Sequence, residues 1–238
     1  MCCVNPTGAD MIAALIEGEG TLKTARAAVM RQDIQPVIDS SQESKGDRTR
    51  KRLLEAAAAE VARCGIAGTS INAIAAAAGL KTGSVYFHFE SKDQLVEAML
   101  KEGLLASLAY LDAALAAVPN HADAATRLAA AIRAHATAVH ELSNYTVAVL
   151  ASSFPNDSAG AVVRKLRRTY VSRWTQLVTD AQNAGVLPPE PDPRLLRDLI
   201  FGALNAVGLA GQPSDNVAEA LQALLGLAQG QRSDGRAC

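Results

Sequence analysis

An all-α fold is predicted from three features of the 238-residue sequence. Hydrophobic residues make up 49 % of it but aromatic ones only 4 %. With alanine frequent, that composition favours helices packed closely through small side chains. Proline is sparse, at 9 residues, and β-branched runs are few. Apolar residues recur at spacings of three and four along most of the chain. This length holds one large domain or two small ones, with ample core.

Taken in order, residues 1–47 are expected to form a flexible N-terminal extension. Ile12, Leu15, Ile16 and Leu22 suggest a weak amphipathic helix, and Pro36 followed by the polar run S-S-Q-E-S-K-G-D reads as a linker. The alternatives are an upstream start in place of Met11 or Met30, and a partner-binding helix. A first firm helix is predicted over about 48–63, with Leu53, Leu54, Ala57, Ala58 and Val61 buried and Gly65 ending it. A short helix from Thr69 or Ser70 to Ala78 follows, then a turn at Gly79 and a second short helix to about Phe87, anchored by Val85. Ser91-Lys92-Asp93-Gln94 is a capping box. It opens a helix to about Val118, where Pro119-Asn120 breaks it; such a helix spans ~42 Å, long enough to enter a second domain. Leu104, Leu108, Leu111 and Leu115 form its inward stripe.

A helix over about 122–142 carries Leu128, Ile132, His135, Val139 and Leu142 on one face, with His140 pointing away. A broken segment is expected around 145–155. The next helix, about 159–184, has Val163, Leu166, Tyr170, Trp174, Leu177 and Ala181 on one face, with Arg167 in the same arc. The proline-rich stretch 187–191 is a rigid connection to two last helices, about 192–210 and 214–228. Leu196, Leu199, Ile200, Ala203 and Val207 make one face of the first of these; Phe201, Gly202, Asn205 and Gly208 make the other. Val217, Leu221, Leu224 and Ala228 recur in the second. Apolar character on more than one side fits either a subunit interface or the completion of one bundle. A disordered tail is expected over 230–238.

Two short helices joined by a tight glycine turn make a helix-turn-helix, whose second helix normally enters the DNA major groove. Charge is distributed accordingly. Residues 1–44 carry 3 basic and 6 acidic groups, 45–101 carry 9 and 6, and 102–238 carry 11 and 12. The positive balance sits with the helix-turn-helix, as phosphate binding requires. Lys45, Arg48, Arg50, Lys51 and Arg52 read as a phosphate-contacting arm or, more plainly, as a solvated helix start. Thr82 and Ser84 are short donors that reach base edges, while the Tyr86 hydroxyl and Lys92 suit phosphate oxygens. Either Thr82 caps the second helix or Lys81 faces phosphate. Phe87 is either a contact to a thymine methyl or core, and Phe89 is read as core.

The runs T-S-I-x-x-I-A-x-x-A-G-L, K-T-G-S-V-Y-F-H-F and E-S-K-D-Q-L, all within residues 69–95, resemble the tetracycline-repressor (TetR/AcrR) family of bacterial regulators. Tyr86, His88, Phe89 and Lys92 fall at the family's spacings. The resemblance implies that residues 82–87 read bases and that Tyr86, His88 and Lys92 touch or support the DNA backbone. The candidate DNA-binding set is therefore Arg48, Arg50, Thr69, Ser70, Lys81, Thr82, Ser84, Tyr86, His88 and Lys92, in a domain spanning 48–95. For 96–229 the resemblance implies a ligand-binding and dimerisation domain, with the homodimer formed through the last two helices. Phe201, Gly202, Asn205, Val217, Leu221 and Leu224 are the candidate interface.

The inward faces predict a ligand pocket of Leu104, Leu108, Leu111, Ile132, Leu166, Tyr170 and Trp174, with His135 and Arg167 as its polar groups. An apolar cavity with one cation and one imidazole suits an amphipathic acid or acyl thioester better than a sugar or metal. Alternatively, Arg167 snorkels to the surface and His135 is a satisfied core residue. The Y-F-H-F run with Gly-Ala-Leu-Asn at 202–205 also looks like family members that sense fatty-acid or acyl-CoA intermediates, although the Trp that often follows is absent.

No G-x-S-x-G elbow, Walker loop, H-E-x-x-H pair or Rossmann fingerprint occurs, so no catalytic residue and no cofactor are assigned. Cys2, Cys3, Cys64 and Cys238 form no C-x-x-C pair and the four histidines are scattered, so no metal site is expected. No apolar run approaches the ~20 residues that span a bilayer, and a cytoplasmic location with no membrane partner is expected. The reading is a ligand-responsive transcriptional repressor acting as a homodimer on a palindromic operator in double-stranded DNA. A helical adaptor with a vestigial DNA module and an enzyme are the alternatives; specific binding to palindromic DNA separates the first from both.

Overall fold

The computed structural model describes residues 44–152 and 160–227. Expectations for the N-terminal extension before Ser44 and for the tail lie outside the described residues. Within them the chain is all-α, as expected. Its helices are α1 (Lys45–Gly68), α2 (Ile71–Ala77), α3 (Thr82–His88), α4 (Lys92–Ala117), α5 (Ala124–Glu141), α6 (Ser143–Ala151), α7 (Gly160–Asn183), α8 (Pro193–Leu209) and α9 (Ser214–Leu224). No described helix is long and apolar enough to cross a membrane.

Helix α1 starts a turn earlier than the basic cluster suggests, because Ser44 caps it: its hydroxyl oxygen accepts from Asp47 N at 3.0 Å. The expected stripe of Leu53, Leu54, Ala57, Ala58 and Val61 is buried. Gly65 takes φ 72° and ψ 169°, outside the helical range, and so ends the regular helix as expected; a short further turn continues to Gly68 across the kink. Thr69 closes the kinked turn, its hydroxyl donating to Gly65 O at 2.8 Å.

The segment expected to be broken after α5 is helical as α6. Thr146, Val147 and Val149 are weak helix formers. Burial of Tyr145 and Ala148 and packing of α6 against α1 override that preference; burying one large side chain is worth about 1.5–3 kcal/mol. Gly103 of α4 makes room, since a Cβ there would lie 2.9 Å from Tyr145 Cβ.

The described chain forms two compact units. One holds the residues through Ala113 and those from Glu141 to Val171; the other holds Ala114–His140 and the residues from Ser172 onward. The boundaries fall inside α4, before the last residue of α5, and inside α7. They divide the chain by packing, whereas the expected division at 95/96 is one of role. In the second unit, Gly208 of α8 meets α5 so closely that a Cβ would lie 2.8 Å from Val139 Cγ1. Gln222 of α9 is buried, donates to Ala129 O at 3.1 Å and accepts from Arg133 Nη1 at 3.3 Å.

Candidate nucleic-acid interface

The helix-turn-helix is assembled by local chemistry. Ser70 caps α2 by accepting from Ala73 N at 3.1 Å. Past its C-cap Ala78, Gly79 adopts φ 64°. Leu80 N then donates to Ala75 O at 2.8 Å and Gly79 N to Ala76 O at 3.0 Å, a Schellman closure. Arg52 of α1 donates to Ala78 O and so holds the end of α2. Thr82 Oγ1 donates to Asn72 Oδ1 at 2.9 Å, bracing α3 on α2. The core side of α3 is Val85, fully buried.

What α3 turns outward is distinctive. Tyr86 is 56 % and Phe87 87 % exposed. Lys81 stands exposed at the N-cap without a capping side-chain bond, and a Cβ on Gly83 would meet nothing within 4 Å. Ser84 and His88 are half-buried, and the His88 ring meets Phe87 edge-on at 5.5 Å. An open, cationic helix start with tyrosine, serine and an unpacked aromatic beside it is suited to lie against a polyanion and touch base edges. Of the two readings of Phe87, core is excluded. Phe89 is core, 2 % exposed.

Several expected DNA contacts are engaged elsewhere. Lys92 Nζ donates to Ile66 O at 3.1 Å and Thr69 O at 3.2 Å; it neutralises the carbonyl end of α1, where a cation is favoured, and uses two of its three donors there. Thr69 is 3 % exposed and faces inward. Thr82 commits its hydroxyl hydrogen to Asn72. The guanidinium of Arg50 lies 4.5 Å from the centroid of the Phe89 ring, a cation–π contact. Arg48 and Ser70 are exposed. The Ser91 half of the expected capping box forms, with Gln94 N donating to Ser91 Oγ at 3.1 Å; the Gln94 side chain reaches one residue further back, its Oε1 accepting from Glu90 N at 2.6 Å rather than from Ser91 N. Asn72 was missed by the sequence reading; its only signal was a lone amide in the otherwise apolar run Ile-Asn-Ala-Ile-Ala-Ala-Ala.

The expected pocket residues divide between the units. Leu104, Leu108, Leu111 and Tyr170 are buried and Leu166 half-buried in the first; Ile132, His135 and Trp174 are buried in the second. Arg167 is exposed, which corrects its inward placement: it lies at the margin of the α7 stripe, and its long stem lets the charge stay in water. His135 Nε2 lies 3.1 Å from Asn205 Oδ1. An amide oxygen only accepts, so Nε2 carries the proton. Burial pushes the His135 pKa down to about 4, against the opposing effect of the Asn205 bond. The Phe201 ring stacks on His135 at 4.8 Å, and Trp174 meets both rings edge-on, at 5.6 and 5.1 Å.

That cluster also engages part of the candidate interface within the protomer. Phe201 and Asn205 face His135, and Val217 is buried within the protomer. Helix α8 places Leu196, Ile200, Leu204 and Gly208 inward and leaves Leu195, Leu199, Gly202, Ala206 and Val207 exposed; Leu221 of α9 is half-buried and Leu224 is 84 % exposed. Leu199, Ala203 and Val207 thus lie on the outer face rather than with Leu196 and Ile200. On a helix apolar nearly all round, periodicity does not say which side is inward.

Comparison with known proteins agrees with this geometry. The family model of tetR bacterial regulatory proteins matches residues 53–99, and that of the tetracyclin repressor-like C-terminal domain matches 121–209, together more than half of the chain. The HTH-type transcriptional regulator UidR of Escherichia coli (strain K12) is 26 % identical over 197 residues, 80 % of this chain and 97 % of that one. The solved structure of the ketosteroid transcriptional regulator KstR2 of Mycobacterium tuberculosis matches with TM-score 0.65 at 21 % identity, over 79 % of this chain and 96 % of that chain. AibR in complex with isovaleryl coenzyme A and operator DNA matches with TM-score 0.62 at 20 % identity, over 74 % and 97 %. With its helix-turn-helix assembled and the outer side of α3 open, the chain belongs to the tetR family of bacterial regulatory proteins and is a DNA-binding transcriptional regulator.

Proposed function

We propose that the protein is a repressor that binds a pseudo-palindromic operator as a homodimer and leaves it when a small organic effector binds. The observation that carries the DNA half is the outer side of α3, where Lys81, Tyr86 and the unpacked Phe87 stand free of the core. Lys81 and Tyr86 serve phosphate oxygens, Ser84 a base edge and Phe87 a thymine methyl. Arg48 supplies a phosphate contact from the arm. Lys92, Thr69 and Asn72 are positioning residues that hold the α1–α2–α3 corner.

One helix-turn-helix has too little contact area for tight specific binding, and a two-fold dimer sets two recognition helices ~34 Å apart, one DNA turn. The exposed apolar side of α8, with Leu195, Leu199, Gly202 and Val207, and Leu224 of α9 support self-association. The role-based division expected at residue 96 is retained: the chain beyond it senses ligand and dimerises. AibR was solved with isovaleryl coenzyme A, and KstR2 is named a ketosteroid regulator, which supports an organic effector here. With Arg167 exposed, the buried cation expected for a free acid is lost, and an acyl thioester fits better than a fatty acid.

The test is a gel shift with the DNA upstream of the protein's own gene, repeated with candidate metabolites. A discrete shifted band, diminished by an acyl thioester, is the expected result. Equal shifting of unrelated DNA would overturn the reading.

A further inference from the structure

The buried cluster around Trp174 in the second unit holds a hydrogen-bond donor that no part of the described protein uses. Trp174 is 0 % exposed, and its Nε1–H has no acceptor among the described residues. Buried indole N–H groups are ordinarily bonded. The surroundings limit what could accept from it. Phe201 and His135 pack edge-on against the indole, and His135 Nε2 already donates to Asn205 Oδ1. Of the cations in this unit, Arg133 Nη1 bonds Gln222 Oε1 and Arg197 Nη1 bonds Thr175 Oγ1.

Resting on the effector-binding part of the proposed function, we propose that the Trp174–His135–Asn205–Phe201 cluster is an effector subsite that recognises an uncharged carbonyl oxygen, of a ketone, ester or thioester, through the Trp174 indole N–H. The rings give a carbon skeleton flat apolar contact, and the Asn205 amide N–H2 is a second neutral donor beside them. A carboxylate is disfavoured, because these donors are neutral and a buried unpaired anion is strongly penalised. The imidazole does not supply the missing charge near neutral pH, since burial holds its pKa at about 4. The effector class thereby extends from an acyl thioester to any ketone, ester or thioester whose buried end carries no charge.

Trp174 is the only tryptophan, so its indole N–H gives a single cross-peak in a proton–nitrogen correlation spectrum of the full-length protein. The probes are chain-matched: 2-undecanone and methyl decanoate as neutral carbonyls, decanoate as the anion and undecane as the hydrocarbon. The expected result is a saturable downfield shift of the indole proton with both neutral carbonyls, and at least tenfold weaker binding of decanoate and undecane. Trp174→Phe should weaken methyl decanoate at least tenfold, by titration calorimetry. Binding of decanoate as tight as methyl decanoate, or no saturable indole shift with either carbonyl, overturns the proposal, and the wild-type spectrum decides this even where Trp174→Phe does not fold. All titrations omit DNA, so failure here leaves operator binding, read by gel shift, as a separate result.

Discussion

Lys81 and Lys92 carry the same charge in the same motif and do different work. Lys81 is exposed at the head of α3 with no cap bond of its own, so Lys81→Ala should leave the urea midpoint unchanged. It should also weaken specific and non-specific DNA alike, lowering the salt slope by about 0.9 per protomer; an unchanged slope in a filter-binding titration would remove Lys81 from the interface. Lys92→Met should instead cost about 1–2 kcal/mol of stability, because Ile66 O and Thr69 O lose a charged donor. Nothing in the motif spacing distinguishes the two, since a four-carbon stem reaches either DNA or the end of α1. The third residue with a readable consequence is His135. Its pKa falls from an ordinary 6.5 to about 4 on folding, so the folded state binds fewer protons than the unfolded one between those values. Its contribution to stability is therefore complete above about pH 6.5 and is lost as pH falls towards about 4, a loss on the order of 3 kcal/mol. Denaturant titrations across that window should show a steeper loss for the wild type than for His135→Gln; parallel curves would mean that the imidazole is not buried neutral.

At the scale of elements, close approach decides stability where helix propensity points the other way. Gly103→Ala gains intrinsic helix preference of up to ~1 kcal/mol. Its Cβ would meet Tyr145 Cβ at 2.9 Å and Cδ1 at 3.0 Å, and these atoms lie near the backbone of α6 where they cannot swing away. Overpacking of this kind costs about 1–3 kcal/mol, so the variant should melt lower than wild type; an unchanged or raised melting temperature would show that α4 and α6 part easily. The same contact explains why α6 was not legible: its stability comes from Tyr145 and Ala148 packing, while its β-branched residues read as a break. By contrast α1, α2 and α3 were legible, because Leu53, Leu54 and Val61 share one face of α1, and Ile74 and Val85 anchor two short helices on either side of one glycine turn. Helix α8 was legible as a helix but not in its orientation. Leu199, 57 % exposed, tests the corrected side: Leu199→Arg should keep the fold, with a stability change within about 0.5 kcal/mol for the protomer, and convert a dimer to a monomer in sedimentation. A dimer that persists would place the interface elsewhere.

For the molecule as a whole, the central claim is that two copies of α3 are presented to DNA with two-fold symmetry. The DNA-binding half was readable because a helix-turn-helix is local in sequence and marked by charge. The effector side was readable only as apolar faces, since the partners that define it, His135 with Asn205 and Trp174 with Phe201, lie far apart in the chain. The most direct measurement of the central claim is selection of bound duplexes from a random pool by the full-length protein at about 150 mM salt, followed by sequencing. The expected result is enrichment of an inverted repeat whose half-site centres are spaced by one helical turn or a multiple of it, together with loss of enrichment for the double variant Lys81→Ala, Phe87→Ala at unchanged fold. Enrichment of a single half-site without symmetry, or of no sequence at all, would contradict it.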